Sequence, residues 1–203
     1  MRFYFIRHGE STANLEHIIS NRDLPHPLTE KGRQQAAMLA VELQPEAPVR
    51  LYHSPVPRAV ETAKILAAAW QPIETAAAEA LREYDLGIYE GQGGAEAWDY
   101  YMHLLDEWYQ QGNLHAAAPG GESWLDIRAR FQPWLTELIA ALQDKPGSAV
   151  FVSHGGLYRL MLPEAAVNLP KRYPLNHPLS NTGVIEAEPY KGRLTILRYQ
   201  GIP

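Results

Sequence analysis

The sequence has no cysteine among its 203 residues. This absence excludes disulfide bonds, cysteine nucleophiles and thiolate metal sites. Long apolar runs are missing as well, since no stretch approaches the ~20 apolar residues that a membrane-spanning helix needs. The first residues lead straight into Arg2 and Phe3, without a long apolar leader segment. These absences predict a cytoplasmic protein that does not enter a membrane.

The sequence has fewer basic than acidic residues. It contains 18 lysine and arginine residues and 23 aspartate and glutamate residues, so the formal net charge is −5. A chain without a basic surplus has little with which to neutralise a phosphate backbone, so we do not expect a nucleic-acid partner. Apolar residues make up 46% of the chain, which is enough for a sizeable core. The length predicts a single domain over residues 1–203, with room for one insertion.

Predicted strands alternate with predicted helices along the chain. Short apolar segments predict strands, and amphipathic spacing predicts helices. The predicted strands are residues 3–6, 49–53 and 149–152, followed by a hairpin of residues 183–188 and 193–198. The predicted helices begin at Thr29, near Ala59, near Trp98 and at Ser123, and residues 10–28 and 81–91 are predicted loops. This alternation indicates an α/β fold, a three-layer α/β/α sandwich with a mostly parallel central sheet.

Reactive residues follow three of the predicted strands. Arg7 and His8 follow the first, Arg58 lies one helical turn after the second, and His154 follows the third. Because functional sites of such sheets form at the carboxyl ends of the strands, we expect these four side chains to converge. A structural alternative for one of them is that Arg7 pairs with Glu10.

Two arginines and two histidines that lie close together would form a binding site for an anion. Guanidinium groups match phosphate oxygens bidentately, and their fixed positive charge opposes a bound metal ion. A neutral imidazole is a competent nucleophile near pH 7, because its unperturbed pKa is ~6.5. Phosphoryl transfer needs mainly positioning and charge stabilisation, which arginines and a second, protonated histidine would supply without magnesium. The cluster therefore predicts phosphoryl transfer to a histidine, with no metal and no cofactor.

A leaving alkoxide also needs a proton, and the predicted loop 81–91 offers two carboxylates for general acid catalysis. These are Glu83 and Asp85. Composition alone does not choose between them.

The order of these residues resembles the histidine phosphatase superfamily, which includes the phosphoglycerate mutases. The similar segments are RHGES at 7–11 followed by Asn14, LTEKG at 28–32, SPVPRAVETA at 54–63, the acid loop at 81–91, PGGES at 119–123 and SHGG at 153–156. The resemblance spans nearly the whole chain and includes a weaker similarity at residues 181–183.

The resemblance implies a phosphoglycerate mutase-like fold and assigns roles to the site residues. His8 would carry a phosphohistidine. Glu83 would protonate the leaving oxygen and then help activate water, with Asp85 as the fallback. The residues expected to bind the phosphoryl group are Arg7, Arg58, Asn14, His154 and Gly155.

Three reactions or roles are compatible with such a site. A mutase must hold a substrate carboxylate and a second phosphate, which calls for additional basic residues after the acid loop. No lysine or arginine occurs between Arg82 and Arg128. This gap favours a metal-independent phosphomonoesterase that hydrolyses a small-molecule phosphate monoester. The alternatives are a cofactor-dependent phosphoglycerate mutase and a catalytically weak protein that binds a phospho-ligand.

The same interval is rich in acidic and aromatic residues. The aromatic ones are Tyr84, Tyr89, Trp98, Tyr100, Tyr101, Trp108 and Tyr109. They form either a helix face packed on the core or, in part, the roof of a pocket within a helical, lid-like insertion at about 92–121. We expect a substrate with an apolar, aromatic or neutral leaving group. A phosphate or sulfate ion is a possible occupant of the site, and the chain is expected to be a monomer or a homodimer.

Overall fold

The computed structural model describes residues 1–22, 24–70 and 73–200, and its centre is one β-sheet. The strands are β1 (Arg2–Arg7), β2 (Val49–His53), β3 (Ile73–Ala77), β4 (Ser148–Ser153), β5 (Val184–Tyr190) and β6 (Arg193–Tyr199). Their order across the sheet is β3-β2-β4-β1-β5-β6. The first four are parallel, while β5 and β6 pair antiparallel. The strand β4 therefore lies between β2 and β1, and the carboxyl ends of all three are adjacent.

Alternation along β1 shows that the sheet is covered on both faces. Phe3 and Phe5 belong to one buried cluster, whereas Tyr4 and Ile6 belong to another. Phe5 stacks on Phe151 of β4 with 4.8 Å between ring centroids. Parallel strands buried on both faces need continuous apolar runs, and β1 and β4 have them.

Helices supply the two outer layers. They are α1 (Thr12–Glu16), α2 (Glu30–Glu42), α3 (Pro57–Ala69), α4 (Ala95–Asp106), α5 (Trp124–Leu142), α6 (Gly155–Ala165) and α7 (Tyr173–Asn176). Buried residues of α2 and α3 pack on the Tyr4 face, and those of α4, α5 and α6 pack on the Phe3 face. The predicted three-layer α/β/α sandwich is confirmed. Among the described residues, no helix is both long and apolar enough to cross a membrane.

Side-chain caps explain where two predicted helices begin. The Thr29 hydroxyl accepts a hydrogen bond from the Gly32 N–H at the start of α2. Ser123 and Asp126 form a reciprocal capping box at the start of α5. Both helices were predicted to begin at these residues.

Several elements differ from the predictions, and three of them have a clear local cause. Residues 10–28 were predicted as a loop, but a capping box of Ser11 and Asn14 starts the short helix α1 there, which is too brief to show helical periodicity. Strand β3 was missed because it lies at the sheet edge and is mostly exposed, so it shows no apolar alternation. Helix α6 was also missed, because it begins with two glycines, which have low helix propensity.

Candidate active site

The three strand ends meet at a pair of histidine rings bridged by an arginine. The His8 and His154 ring centroids are 5.2 Å apart. Arg58, near the start of α3, donates from Nε to His8 Nε2 at 2.9 Å and from Nη2 to His154 Nδ1 at 3.1 Å. All three side chains are buried. The predicted convergence of these residues is therefore present in the structure.

The hydrogen bonds of His8 define its tautomer. A guanidinium only donates, so the nitrogen that faces Arg58, Nε2, must carry the lone pair. Nδ1 then holds the ring proton and donates it to the Gly9 carbonyl at 2.6 Å. Burial first, then the charges of Arg58 and Arg7, hold the pKa of His8 well below its usual value. His8 thus presents a neutral ring with an unprotonated Nε2.

The backbone around His8 is fixed by three separate elements. The His8 N–H donates to the Ser153 carbonyl at 2.9 Å, and the Gly9 N–H donates to Thr62 Oγ1 at 3.1 Å. Asn181 Nδ2 donates to the His8 carbonyl at 3.1 Å. Strand β4, helix α3 and the segment before β5 therefore hold the backbone of His8 in place.

His154 is held in the complementary tautomer. Because Nδ1 accepts from Arg58, Nε2 carries the proton and donates to Ser54 Oγ at 2.8 Å. Burial, and next the charge of Arg58, hold the pKa of His154 well below its usual value. The sequence suggested a protonated second histidine, and the structure differs because this ring is enclosed beside a guanidinium.

Unpartnered guanidinium nitrogens mark an anion site. Arg7 donates from Nη1 to the Leu179 carbonyl at 2.7 Å. Within the described ranges, Arg7 Nε and Arg58 Nη1 are buried without a hydrogen-bond partner. Burial lowers the pKa of Arg58 to about 10, which still leaves it charged near neutrality. Glu10, the alternative partner for Arg7, instead pairs with Lys31 at 2.7 Å.

The two candidate acids differ in what they face. Glu83 accepts from the Gly156 N–H at 2.9 Å and from the Tyr84 N–H at 3.2 Å, and it lines the same cavity as His8. Burial raises the pKa of Glu83. Asp85 does not line that cavity; it lies in an adjoining depression that Glu83 also borders, and it pairs with Arg22 Nε at 2.7 Å. This arrangement favours Glu83 as the acid.

A cavity of about 200 Å³ lies over the histidine pair. Asn14 lines it, with its Oδ1 occupied by Ser11 and Asn181, so its Nδ2 group is the available donor. The lining also includes Arg7, His8, Arg58, Glu83, Tyr84, Trp98, Tyr101, Gly155, Gly156 and Arg159. The groups of three or more histidine or acidic side chains that a metal ion requires do not occur in the described part of the chain.

The aromatic segment divides between core and pocket. Leu105 and Trp108 are buried in the core, where Trp108 packs edge-on against Trp124 at 5.9 Å. Trp98 and Tyr101, at the start and middle of α4, line the cavity. One helix therefore contributes to both the core and the pocket wall.

Sequence reasoning missed Arg159, which enters the cavity from α6. It lies four residues after Gly155, so the two share one face of the helix. Its Nη2 donates to the Tyr84 hydroxyl at 3.1 Å and to the Tyr101 hydroxyl. A search for arginine one helical turn after the SHGG segment would have found it.

The chain resembles known proteins over almost its full length. A profile of the histidine phosphatase superfamily (branch 1) matches residues 3–201. Phosphoglycerate mutase-like protein 4 of Arabidopsis thaliana is 32% identical over 166 residues, which cover 79% of this chain and 69% of that protein. YhfR of Bacillus stearothermophilus has a TM-score of 0.78 at 27% identity and covers 100% of this chain and 97% of its own. A mycobacterial glucosyl-3-phosphoglycerate phosphatase shares the fold, with a TM-score of 0.75 at 24% identity and 98% of each chain covered.

Proposed function

This chain is an enzyme that belongs to branch 1 of the histidine phosphatase superfamily, and from that premise we propose that it hydrolyses a small-molecule phosphate monoester through a phosphohistidine on His8. The observation that carries the proposal is the unprotonated Nε2 of His8 beside buried guanidinium N–H groups that lack partners. A dianionic phosphoryl group satisfies those donors and brings phosphorus to the nucleophile.

In the first half-reaction, His8 Nε2 attacks phosphorus and the bond from phosphorus to the ester oxygen breaks. Arg58 leaves Nε2 and turns its fork to the phosphoryl oxygens, together with Arg7 and the Asn14 amide. The ring gains positive charge, which the hydrogen bond from Nδ1 to the Gly9 carbonyl stabilises. Protonated Glu83 gives its proton to the leaving alkoxide, because its raised pKa keeps that proton available.

In the second half-reaction, water replaces the alcohol. Glu83, now a carboxylate, takes a proton from the water while the water oxygen attacks phosphorus. The bond from phosphorus to His8 Nε2 breaks, inorganic phosphate leaves, and both residues return to their starting states. His154 supports the phosphoryl oxygens throughout, since a bound dianion favours its protonated form.

We infer a metal-independent reaction from the charge of the site. Arg7 and Arg58 place two fixed positive charges around the imidazoles, and they oppose a cation at the position where a metal would coordinate His8. The same charges stabilise the equatorial oxygens of the transferring group. A cytoplasmic location and a monomeric or dimeric state stay predictions.

A panel of phosphomonoesters tests the proposal. Wild type is expected to release phosphate from them, and His8→Ala to lose this activity. Retention of full activity by the variant would show that His8 is not the nucleophile. The mutase alternative, which the Arabidopsis relative's name suggests, predicts bisphosphoglycerate-dependent isomerisation of phosphoglycerate. A phospho-ligand binding protein predicts binding without turnover.

A further inference from the structure

An arginine outside the cavity binds the main chain that carries Glu83. Arg130, in the second turn of α5, donates from Nη1 to the Ala80 carbonyl at 2.9 Å and from Nη2 to the Glu83 carbonyl at 3.4 Å. Arg130 lines the adjoining depression and not the cavity over the two histidines. Its hydrogen bond to Glu83 therefore acts on the main chain and leaves the carboxyl group facing the cavity.

Glu122 binds the same loop two residues after Glu83. Its carboxylate accepts from Arg130 Nε at 2.7 Å and from Nη2 at 3.1 Å, which makes a bidentate pair. Its Oε2 also accepts from the Asp85 N–H at 2.9 Å, and the Glu122 N–H donates to the Asp85 carbonyl at 2.9 Å. The Arg130–Glu122 pair thus binds the main chain at Ala80, Glu83 and Asp85.

The pair is anchored to a long helix that packs in the core. Glu122 directly precedes Ser123, whose capping box with Asp126 starts α5. The side chains of Arg130 and Glu122 are only 22% and 24% exposed. Because a planar guanidinium fork fixes both distance and direction, a bidentate pair transmits the position of α5 to the loop.

General acid catalysis depends on where the proton donor lies. A misplacement of about 1 Å can cost ~100-fold in rate. The Glu83 carboxyl group accepts from the Tyr84 N–H, which belongs to the loop itself, and from the Gly156 N–H of α6. One hydrogen bond to α6 orients the carboxyl group but does not fix the loop that carries it.

We propose that Arg130 and Glu122 are positioning residues for the general acid, and that they hold the main chain of residues 80–85 so that Glu83 reaches the leaving oxygen. Neither residue contacts the substrate, so both act through Glu83. This inference rests on the proposed function, in which Glu83 is the acid. It also gives a role to the PGGES segment, to which Glu122 belongs.

Arg130→Gln, measured on an alkyl and an aryl phosphate, tests this role. We expect kcat/KM for the alkyl ester to fall by ~10–100-fold, while the aryl ester, whose leaving group needs no proton, stays near the wild-type value. Arg130→Lys keeps the charge without the planar fork and should recover only part of the loss. Arg128→Gln is the matched control, because Arg128 lies exposed on the same helix and should behave as wild type.

A double-mutant cycle with Glu83→Gln separates positioning from folding. Without an acid there is nothing left to position, so Arg130→Gln in the Glu83→Gln background should cause little further loss on the alkyl ester. A merely structural role would lower turnover of both esters, and would do so equally in both backgrounds.

Several outcomes would overturn the positioning role. These are a loss in Arg130→Gln that is equal for the two esters, no loss at all, or a full additive loss in the Glu83→Gln background. Glu122→Gln decides the question if Arg130→Gln does not fold. It keeps one acceptor oxygen, so it should show a smaller loss confined to the alkyl ester, and an equal loss on both esters would again overturn the role. If Glu83→Gln itself shows no alkyl-selective loss, the proposed acid is wrong and this inference fails with it.

Discussion

At the scale of single residues, the state of His8 depends on contacts that no sequence pattern reveals. The motif around it predicts a nucleophile, but the tautomer follows from Gly9 on one side of the ring and Arg58, 50 residues away, on the other. The acid could not be chosen from the sequence for a similar reason. Glu83 and Asp85 are alike as residues, and only the backbone path places one in the cavity and the other against Arg22.

Glu83→Gln tests the acid assignment. The amide keeps the shape of the side chain but has no proton to give a leaving alkoxide. We expect kcat/KM for an alkyl phosphate to fall by about 10²–10⁴-fold. An aryl phosphate, whose leaving group needs no proton, should lose much less.

Asp85→Asn is the matched control for this experiment. The Asp85–Arg22 pair is partly exposed, so its loss should cost at most ~1 kcal/mol of stability and little activity. If Asp85→Asn showed the large loss on alkyl esters while Glu83→Gln did not, the roles would be reversed.

The shifted pKa values of the His8 imidazole and the Glu83 carboxyl also predict how activity depends on pH. His8 stays neutral until the pH falls well below its usual pKa, because its pKa is lowered by burial and by Arg58. Glu83 stays protonated to a higher pH than an ordinary glutamate, because burial raises its pKa. For an alkyl ester, kcat/KM should therefore decline as the pH rises through the raised pKa of Glu83. The profile for an aryl ester should lack this decline, and identical alkaline limbs would contradict the assignment.

At the scale of elements, the site is built where strands end and helices begin. The sequence predicted the helix caps at Thr29 and Ser123 and the buried strands, because each depends on neighbouring residues in the chain. The edge strand β3 and the glycine-initiated helix α6 were not, because tertiary contacts override weak local propensity there. Missing α6 also concealed Arg159, so an error in one element hid a residue of the pocket.

Gly156→Ala tests how α6 holds the acid. Alanine favours a helix over glycine, so propensity alone predicts a stabilised α6. However, an added Cβ would lie 2.7 Å from both Glu83 carboxylate oxygens and 2.7 Å from Tyr84 Cε1. We expect a displaced Glu83 and a loss of kcat/KM that is larger for alkyl than for aryl phosphates. Gly94→Ala, with nothing within 4 Å of its Cβ, is the control, and equal behaviour of the two variants would contradict the prediction.

At the scale of the whole molecule, the strand order creates the site. The sequence predicted the layers and the parallel sheet, but the pairing of β4 between β1 and β2 is a long-range choice that a single chain's pattern does not specify. That order brings two distant residues to the ring of His8. Arg58 is 50 positions from His8 along the chain, and His154 is 146 positions from it. It also gathers positive charge in the pocket of a protein whose formal net charge is −5.

Treatment of the whole enzyme with a chelator tests the metal-independent reaction. In the proposed mechanism Arg7 and Arg58 supply the positive charge that the transferring group needs, so activity should survive prolonged incubation with EDTA. The measurement is the initial rate on an aryl phosphate before and after chelation. A loss that Zn²⁺ or Mg²⁺ restores would show that the site works with a metal ion.

The most direct test of the account is to trap the covalent intermediate. Wild type is mixed with substrate and quenched by denaturation at alkaline pH within one turnover, and the protein is digested and mapped by mass spectrometry. We predict a phosphoryl group on His8 that is lost on acid treatment and absent from His8→Ala. Release of phosphate by wild type with no labelled histidine, or with the label on His154, would contradict the central claim.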